Sequence, residues 1–277
     1  SKRKVMHAWR LIAPLSTLMH RLPPTDYVAS QSFSYQVGGT VDRQALITQL
    51  TRAGYQRVET VFEHGEFALR GAIVDIFPMG NELPLRLDLL DDELDTLRTF
   101  DPESQRTIDS IAAIELLPAR EFPLDRDGIN RFLNNWHIQF DGRGAKSTLY
   151  QDVEAGIAPQ GIEYYLPLFF EQTATLFDYL PENTLMFNSG TLEDKAGEFW
   201  QDVTERYSEY GVDPERPILP PATLFLSIDQ LFAGFKQCPT IILEKKPIST
   251  AHSDSINSIE LPDVAIDAKR DNPLIAL

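Results

Sequence analysis

The chain has 277 residues, more than one compact core usually holds, so two or three domains are expected. Its 43% hydrophobic and 24% charged residues are those of an ordinary globular protein, and no apolar run is long enough to span a bilayer. With 41 acidic against 25 basic residues, the formal net charge of −16 disfavours nucleic-acid backbone binding unless the basic residues cluster.

The one dense basic run is Lys2, Arg3 and Lys4, which reads as a solvated end. No charged-then-apolar start resembles a signal peptide. The single cysteine, Cys238, rules out an internal disulfide and fits a reducing cytosol. A cytoplasmic protein with no membrane partner is the expectation.

In chain order, residues 9–13 (WRLIA) read as a short strand feeding a helix with Leu15, Leu18, Met19 and Leu22 on one face. Pro23 and Pro24 then mark a boundary. The chain opens without a preceding domain's worth of sequence, which suggests a piece of something longer. Gly38-Gly39 signals a turn. Asp42 can cap a helix presenting Leu46, Ile47 and Leu50, with Gly54 as its stop.

Residues 66–101, EFALRGAIVDIFPMGNELPLRLDLLDDELDTLRTFD, then read as three adjacent antiparallel strands: 67–77, 83–90 and 94–100. Turns at Pro78–Asn81 and at Asp91-Asp92-Glu93 separate them. Farther on, Asp127 can cap a helix carrying Ile129, Phe132, Leu133, Trp136 and Phe140 on one face. The stretch DGRGAKS (141–147) reads as a loop, and GIEYYLPLFF (161–170) as core or interdomain surface.

Residues 185–245 return to an α/β rhythm. LMFN reads as a strand. A helix capped by Thr191 shows Leu192, Ala196, Phe199, Val203, Tyr207 and Tyr210 inward and ends at Gly211. ATLFL (222–226) and TIILE (240–244) read as further strands around a helix from Ile228 to Phe235. The remainder, 246–277, has the composition of a linker or tail.

Catalytic constellations are scarce. Gly142-Arg-Gly144-Ala-Lys146-Ser147 lacks the adjacent Gly-Lys pair and spacing of a phosphate-binding loop, and follows a helix rather than a strand. The five histidines are scattered, with no H-x-x-x-H or C-x-x-C pair. Asp91, Asp92 and Glu93 with Asp88 and Asp95 read as a solvated turn, and Glu63-His64-Gly65-Glu66 as a loop before a strand. No catalytic residue, metal or cofactor is expected.

Three segments, FEHGEFALRGAIVDIFPMG (62–80), LPLRLDLLDDELDTLRTFDPESQRT (83–107) and LLPAREFP (116–123), carry a resemblance. With GIEYYLPLFF and LFDYLPENTLMFNSG (161–170 and 176–190), they resemble the N-terminal part of bacterial transcription-repair coupling factors, the Mfd family. The same region is similar to the excision-repair helicase subunit UvrB, which shares the RG-x-x-x-D-I-F-P signature.

The resemblance implies an α/β and α+β multidomain fold: a degenerate, UvrB-like helicase α/β domain with an inserted small α+β domain containing an antiparallel meander. The implied divisions are 1–27 as part of domain 1A, 28–118 as domain 2, 119–180 as domain 1B, 181–245 as the return to 1A, and 246–277 as tail. The first half of 1A, with the Walker A loop of UvrB, would precede residue 1. Where the Walker B carboxylates of UvrB would follow DYLPEN, this chain reads Leu185-Met186-Phe187-Asn188, which offers Mg²⁺ no anionic anchor.

In function, the resemblance implies a non-catalytic module that binds UvrA, the damage-recognition ATPase, through Arg70 and Arg86. Leu90 stands at a third, aromatic position of the family pattern. Intramolecular contacts would mask that surface in the full-length protein. RNA polymerase and double-stranded DNA would be partners through downstream domains, which carry the ATP-dependent translocase. Two alternatives are an ATP-dependent helicase or translocase fragment that retains nucleotide binding, and a DNA-contacting module. Residues 119–177 show no basic, aromatic-tipped hairpin for the latter. From the residues alone, Arg86 can instead pair with Asp88 or with acids on adjacent strands.

Overall fold

A computed structural model describes residues 10–189, 191–211, 213 and 217–243. The basic run at 2–4 and the tail at 246–277 lie outside the described residues.

Residues 10–14 form no strand; Leu11 and Ile12 face solvent. The apolar run finds neither a neighbouring strand nor a core among the described residues, so the expected strand is corrected. Helix α1 (Leu15–Met19) buries Met19 and stops there. Leu22 lies beyond it, bridged to Ala174 by reciprocal backbone hydrogen bonds of 2.8 Å. Pro24 then precedes a helix not foreseen, α2 (Thr25–Gln31), which runs across residue 28.

Strand β1 (Phe33–Gln36) pairs antiparallel with β8 (Ala113–Leu116), which closes this part of the chain on itself. Between them, α3 (Arg43–Arg52) starts as expected, the Asp42 carboxylate accepting from the Ala45 N–H at 2.9 Å. Its Leu46 and Leu50 are fully buried.

A six-stranded sheet follows in sequence order: β2 (Gln56–Arg57), β3 (Glu66–Arg70), β4 (Ile73–Ile76), β5 (Leu85–Leu90), β6 (Glu93–Phe100) and β7 (Thr107–Ser110). The β2–β3 pair is parallel and the rest form an antiparallel meander. The run 67–77 is therefore two strands, not one. Gly71, at φ +60 with open space around it, turns the chain between Arg70 and Ile73.

Period-2 alternation divides this sheet into two faces. Phe67, Val74, Ile76, Leu85, Leu87, Leu89, Leu94 and Leu97 pack with α3 and the β1–β8 pair into the main core. The opposite face carries a smaller cluster of Val61, Ala68, Phe77 and Phe100.

A second core is aromatic. Helix α4 (Arg126–Phe140) buries Phe132, Trp136 and Phe140. Asp125, not Asp127, caps it, accepting from the Gly128 N–H at 2.9 Å; Asp127 lies inside the first turn. The 141–147 loop holds Trp136 in place: the indole N–H donates to the Arg143 carbonyl at 2.7 Å, and Gly144 (φ +68) lies where a Cβ would meet Pro217 at 2.6 Å. Helix α5 (Thr148–Glu154) supplies Tyr150 and Val153. The aromatic stretch is a 3-10 helix, Ile162–Phe169, buried against α4 as expected of core.

The third region gathers α1 with α6 (Leu176–Tyr179), β9 (Met186–Ser189), α7 (Leu192–Tyr210), α8 (Pro221–Leu224), α9 (Ile228–Phe235) and β10 (Thr240–Leu243). Strands β9 and β10 pair in parallel. ATLFL is not a strand: Pro221 at the first helical position starts α8, and Phe225 makes only an isolated bridge with His20. On α7, Ala196 is buried and Leu192, Phe199 and Trp200 pack beside it. Farther along, Val203 and Tyr207 are half-buried among exposed neighbours, so the expected inner face continues to Tyr207, whereas Tyr210 is exposed.

Candidate docking face on the six-stranded sheet

The face opposite the main core displays one cross-strand row, Ala68–Asp75–Arg86–Arg98–Ser110, running from β3 to β7. Register brings Asp75 directly beside Arg86, and both lie on strands whose alternate residues are core. Asp75 is completely buried. Moving a carboxylate out of water costs several kcal/mol unless cations and hydrogen bonds offset it, and two arginines do so here.

Arg86 lays its side-on fork against Asp75, Nε donating to Oδ1 at 2.7 Å and Nη2 to Oδ2 at 3.0 Å. Its Nη1 donates to the Gln105 carbonyl at 3.2 Å, and its guanidinium carbon sits 4.5 Å from the Phe100 ring centroid. Hydrogen bonding to Asp75 outweighs partial burial and raises the guanidinium's pKa above its usual value.

Arg70 reaches the same carboxylate from β3, its Nη2 donating to Asp75 Oδ2 and to Gln105 Oε1, the latter at 3.2 Å. The two arginines differ in access. The Arg70 side chain is 45% exposed and that of Arg86 16%.

The expected site residues are thus brought onto one face in unequal roles. Arg86 pairs across strands with Asp75 and not along its own strand with Asp88. Asp88 instead meets Arg98 at 3.3 Å. Leu90, at the solvent end of β5, is 67% exposed and belongs to the same face by alternation, yet it enters none of the polar contacts.

Sequence reasoning missed Asp75, Gln105 and Arg98 as parts of this face. Asp75 carried a signal, being the one carboxylate in the apolar run AIVDIF; a charge on a strand surrounded by core residues must find a partner. Gln105 carried none, because only the fold brings its loop over β5. Arg98 donates to Thr96 Oγ1 at 2.9 Å, and its buried Nε has no hydrogen-bond partner among the described residues.

Other candidate chemistry dissolves into structure. In the loop at 63–66, the Glu66 carboxylate accepts the Phe62 and Glu63 N–H groups, both at 2.8 Å. His64 Nε2 lies 2.8 Å from the Asn81 carbonyl. Among the described residues, no group of three or more His, Cys, Asp or Glu is placed to hold a metal ion, and no helix is long and apolar enough to cross a membrane.

A family model described as the UvrB interaction domain matches residues 33–122, the span from β1 to just past β8. The transcription-repair-coupling factor of Escherichia coli strain K12 is 45% identical over 269 residues, 96% of this chain and 23% of the relative. That of Haemophilus influenzae is 41% identical over 265 residues, 95% of this chain and 23% of the relative. That of Bacillus subtilis is 30% identical over 190 residues, 64% of this chain and 16% of the relative. The chain spans less than a quarter of the length of these relatives. Residues 33–122 accordingly match the UvrB interaction domain, within a chain similar along nearly all its length to part of the transcription-repair-coupling factors.

Proposed function

We propose that the chain is a non-catalytic docking module that binds UvrA and thereby links transcription stalled at DNA damage to nucleotide excision repair. The observation that carries this reading is the charged sheet face itself. It lies wholly inside the span matched by the UvrB interaction domain, and it presents a half-exposed arginine anchored on a buried carboxylate. Arginine suits protein docking because its planar fork recognises carboxylates and because it often dominates interface energetics. Arg70, Arg86 and Leu90 are the proposed contact set.

The remainder of the chain serves as frame. Its division into parts of domain 1A, domain 1B and a return to 1A is supported by three separate apolar cores and by the parallel β9–β10 pair. Strand β9 carries Met186, Phe187 and Asn188 where a Walker B strand would end in carboxylates, so no nucleotide chemistry is assigned to this module and no cofactor is needed. RNA polymerase and DNA are partners of the longer protein through other regions.

Titration of the chain with purified UvrA tests the reading. Wild type should bind, and Arg70→Ala and Arg86→Ala should each weaken binding about tenfold or more, the scale of losing charge-assisted hydrogen bonds. Unchanged affinity in both variants would remove the site assignment. A thermal shift at millimolar ATP would instead favour a nucleotide-binding fragment.

A further inference from the structure

Donor geometry distinguishes the two arginines. All three Arg86 guanidinium nitrogens point inward, two onto Asp75 and one onto the Gln105 carbonyl, and the ring of Phe100 lies against the guanidinium. Arg70 commits only Nη2, to Asp75 and Gln105. Its Nε and Nη1 hydrogens have no partner among the described residues, and its side chain is the more exposed.

Gln105 is the second anchor. It holds a backbone φ of +60, which non-glycine residues adopt only where their surroundings require it. Its amide nitrogen donates to the Pro102 carbonyl at 2.7 Å and the Val61 carbonyl at 3.1 Å, which fixes the amide so that Oε1 faces Arg70. Asp75 and Gln105 therefore grip one nitrogen of Arg70 from two sides, and Gln105 also fastens Arg86 through its own backbone.

The local charge sum matters too. Two guanidiniums and one carboxylate leave a single excess positive charge on a chain whose formal net charge is −16. The group left with free donors to display that charge is Arg70.

Resting on the docking reading above, we infer that Asp75 and Gln105 are positioning residues, which hold Arg70 of the proposed contact set in place to receive an acidic side chain of UvrA. Arg86 is the fixed wall behind it. A long side chain clamped before binding loses less rotamer freedom on docking, so the clamp contributes to affinity without touching the partner. The alternative, that Asp75 serves only the stability of the sheet, predicts a different pattern of coupling.

A double-mutant cycle in the full chain, read by UvrA titration, separates the two. The variants are Gln105→Asn, which shortens the clamp and tolerates positive φ, Asp75→Asn, which keeps shape but removes charge, and each of these combined with Arg70→Ala. Positioning predicts that Gln105→Asn and Asp75→Asn each weaken binding about tenfold when Arg70 is present, and less than about twofold when it is alanine. Equal losses in both backgrounds, or none in either, would overturn the inference and leave the docking reading standing. If wild type fails to bind UvrA, the docking reading itself falls and takes the inference with it. Should circular dichroism show that Asp75→Asn does not fold, the Gln105→Asn cycle decides alone.

Discussion

The six-stranded sheet and the β9–β10 pair are built from similar apolar residues and treat them in opposite ways. In the first, Leu85, Leu87 and Leu94 are fully buried beneath α3, and the far side is closed by Phe100, Phe77 and a satisfied carboxylate. In the second, register puts Phe187, Ile241 and Leu243 on one face, and all three are more than 40% exposed. Only Met186, facing the other way, joins a core. Parallel strands are ordinarily covered on both faces, and a two-stranded sheet is marginal alone. The difference explains why the candidate docking face lies on the first sheet: an arginine can be aimed only from a backbone whose other face is locked.

The strongest way to break that contrast is to attack its buried charge. Asp75→Leu leaves the Arg86 guanidinium largely buried with no counter-charge, and unfolding by urea should show a loss of about 3–5 kcal/mol. Asp75→Leu combined with Arg86→Met removes both charges and should return most of that loss. If the double variant is no more stable than Asp75→Leu, the pair is not the reason for the cost. Next in size, Leu87→Ala empties a fully buried site between β4 and β6 and should cost about 2–5 kcal/mol by the same measurement.

A smaller effect sharpens the comparison with the aromatic core. Asp125→Ala removes the one side-chain cap of α4 and should cost about 1 kcal/mol, whereas Asp127→Ala, in the exposed first turn, should cost less. Equal costs would mean that the helix start is fixed by Trp136 and Phe132 packing rather than by its cap.

Much of the sheet was legible because alternation is a local property. The inward positions of β5 and the outward positions of Arg86, Asp88 and Leu90 follow from a period of two. The Arg70-Gly71-Ala72-Ile73 turn was missed because it lacks the Asn-Gly or Asp-Gly pair that marks a tight hairpin. The strand assigned to 222–226 ignored Pro220-Pro221, a helix-start signal that was present in the sequence. The choice of Asp75 over Asp88 as the partner of Arg86 is a matter of strand pairing, and pairing is set by turns and burial together. Gln105 lies 19 residues beyond Arg86, and only the completed meander places it above that side chain.

The least expected change tests the other half of the comparison. Phe187 is 62% exposed on β9, beside Ile241 on β10. A side chain that remains in water after folding forfeits little transfer free energy when it is cut back, so Phe187→Ala should shift stability by no more than about 0.5 kcal/mol. The equivalent truncation at fully buried Phe100, in the satellite cluster under Arg86, should cost about 3–5 kcal/mol. Parallel urea titrations of the two variants measure the ratio directly. A loss above about 2 kcal/mol at Phe187 would mean that the strand is covered in solution. The two sheets would then differ in what covers them and not in whether they are covered.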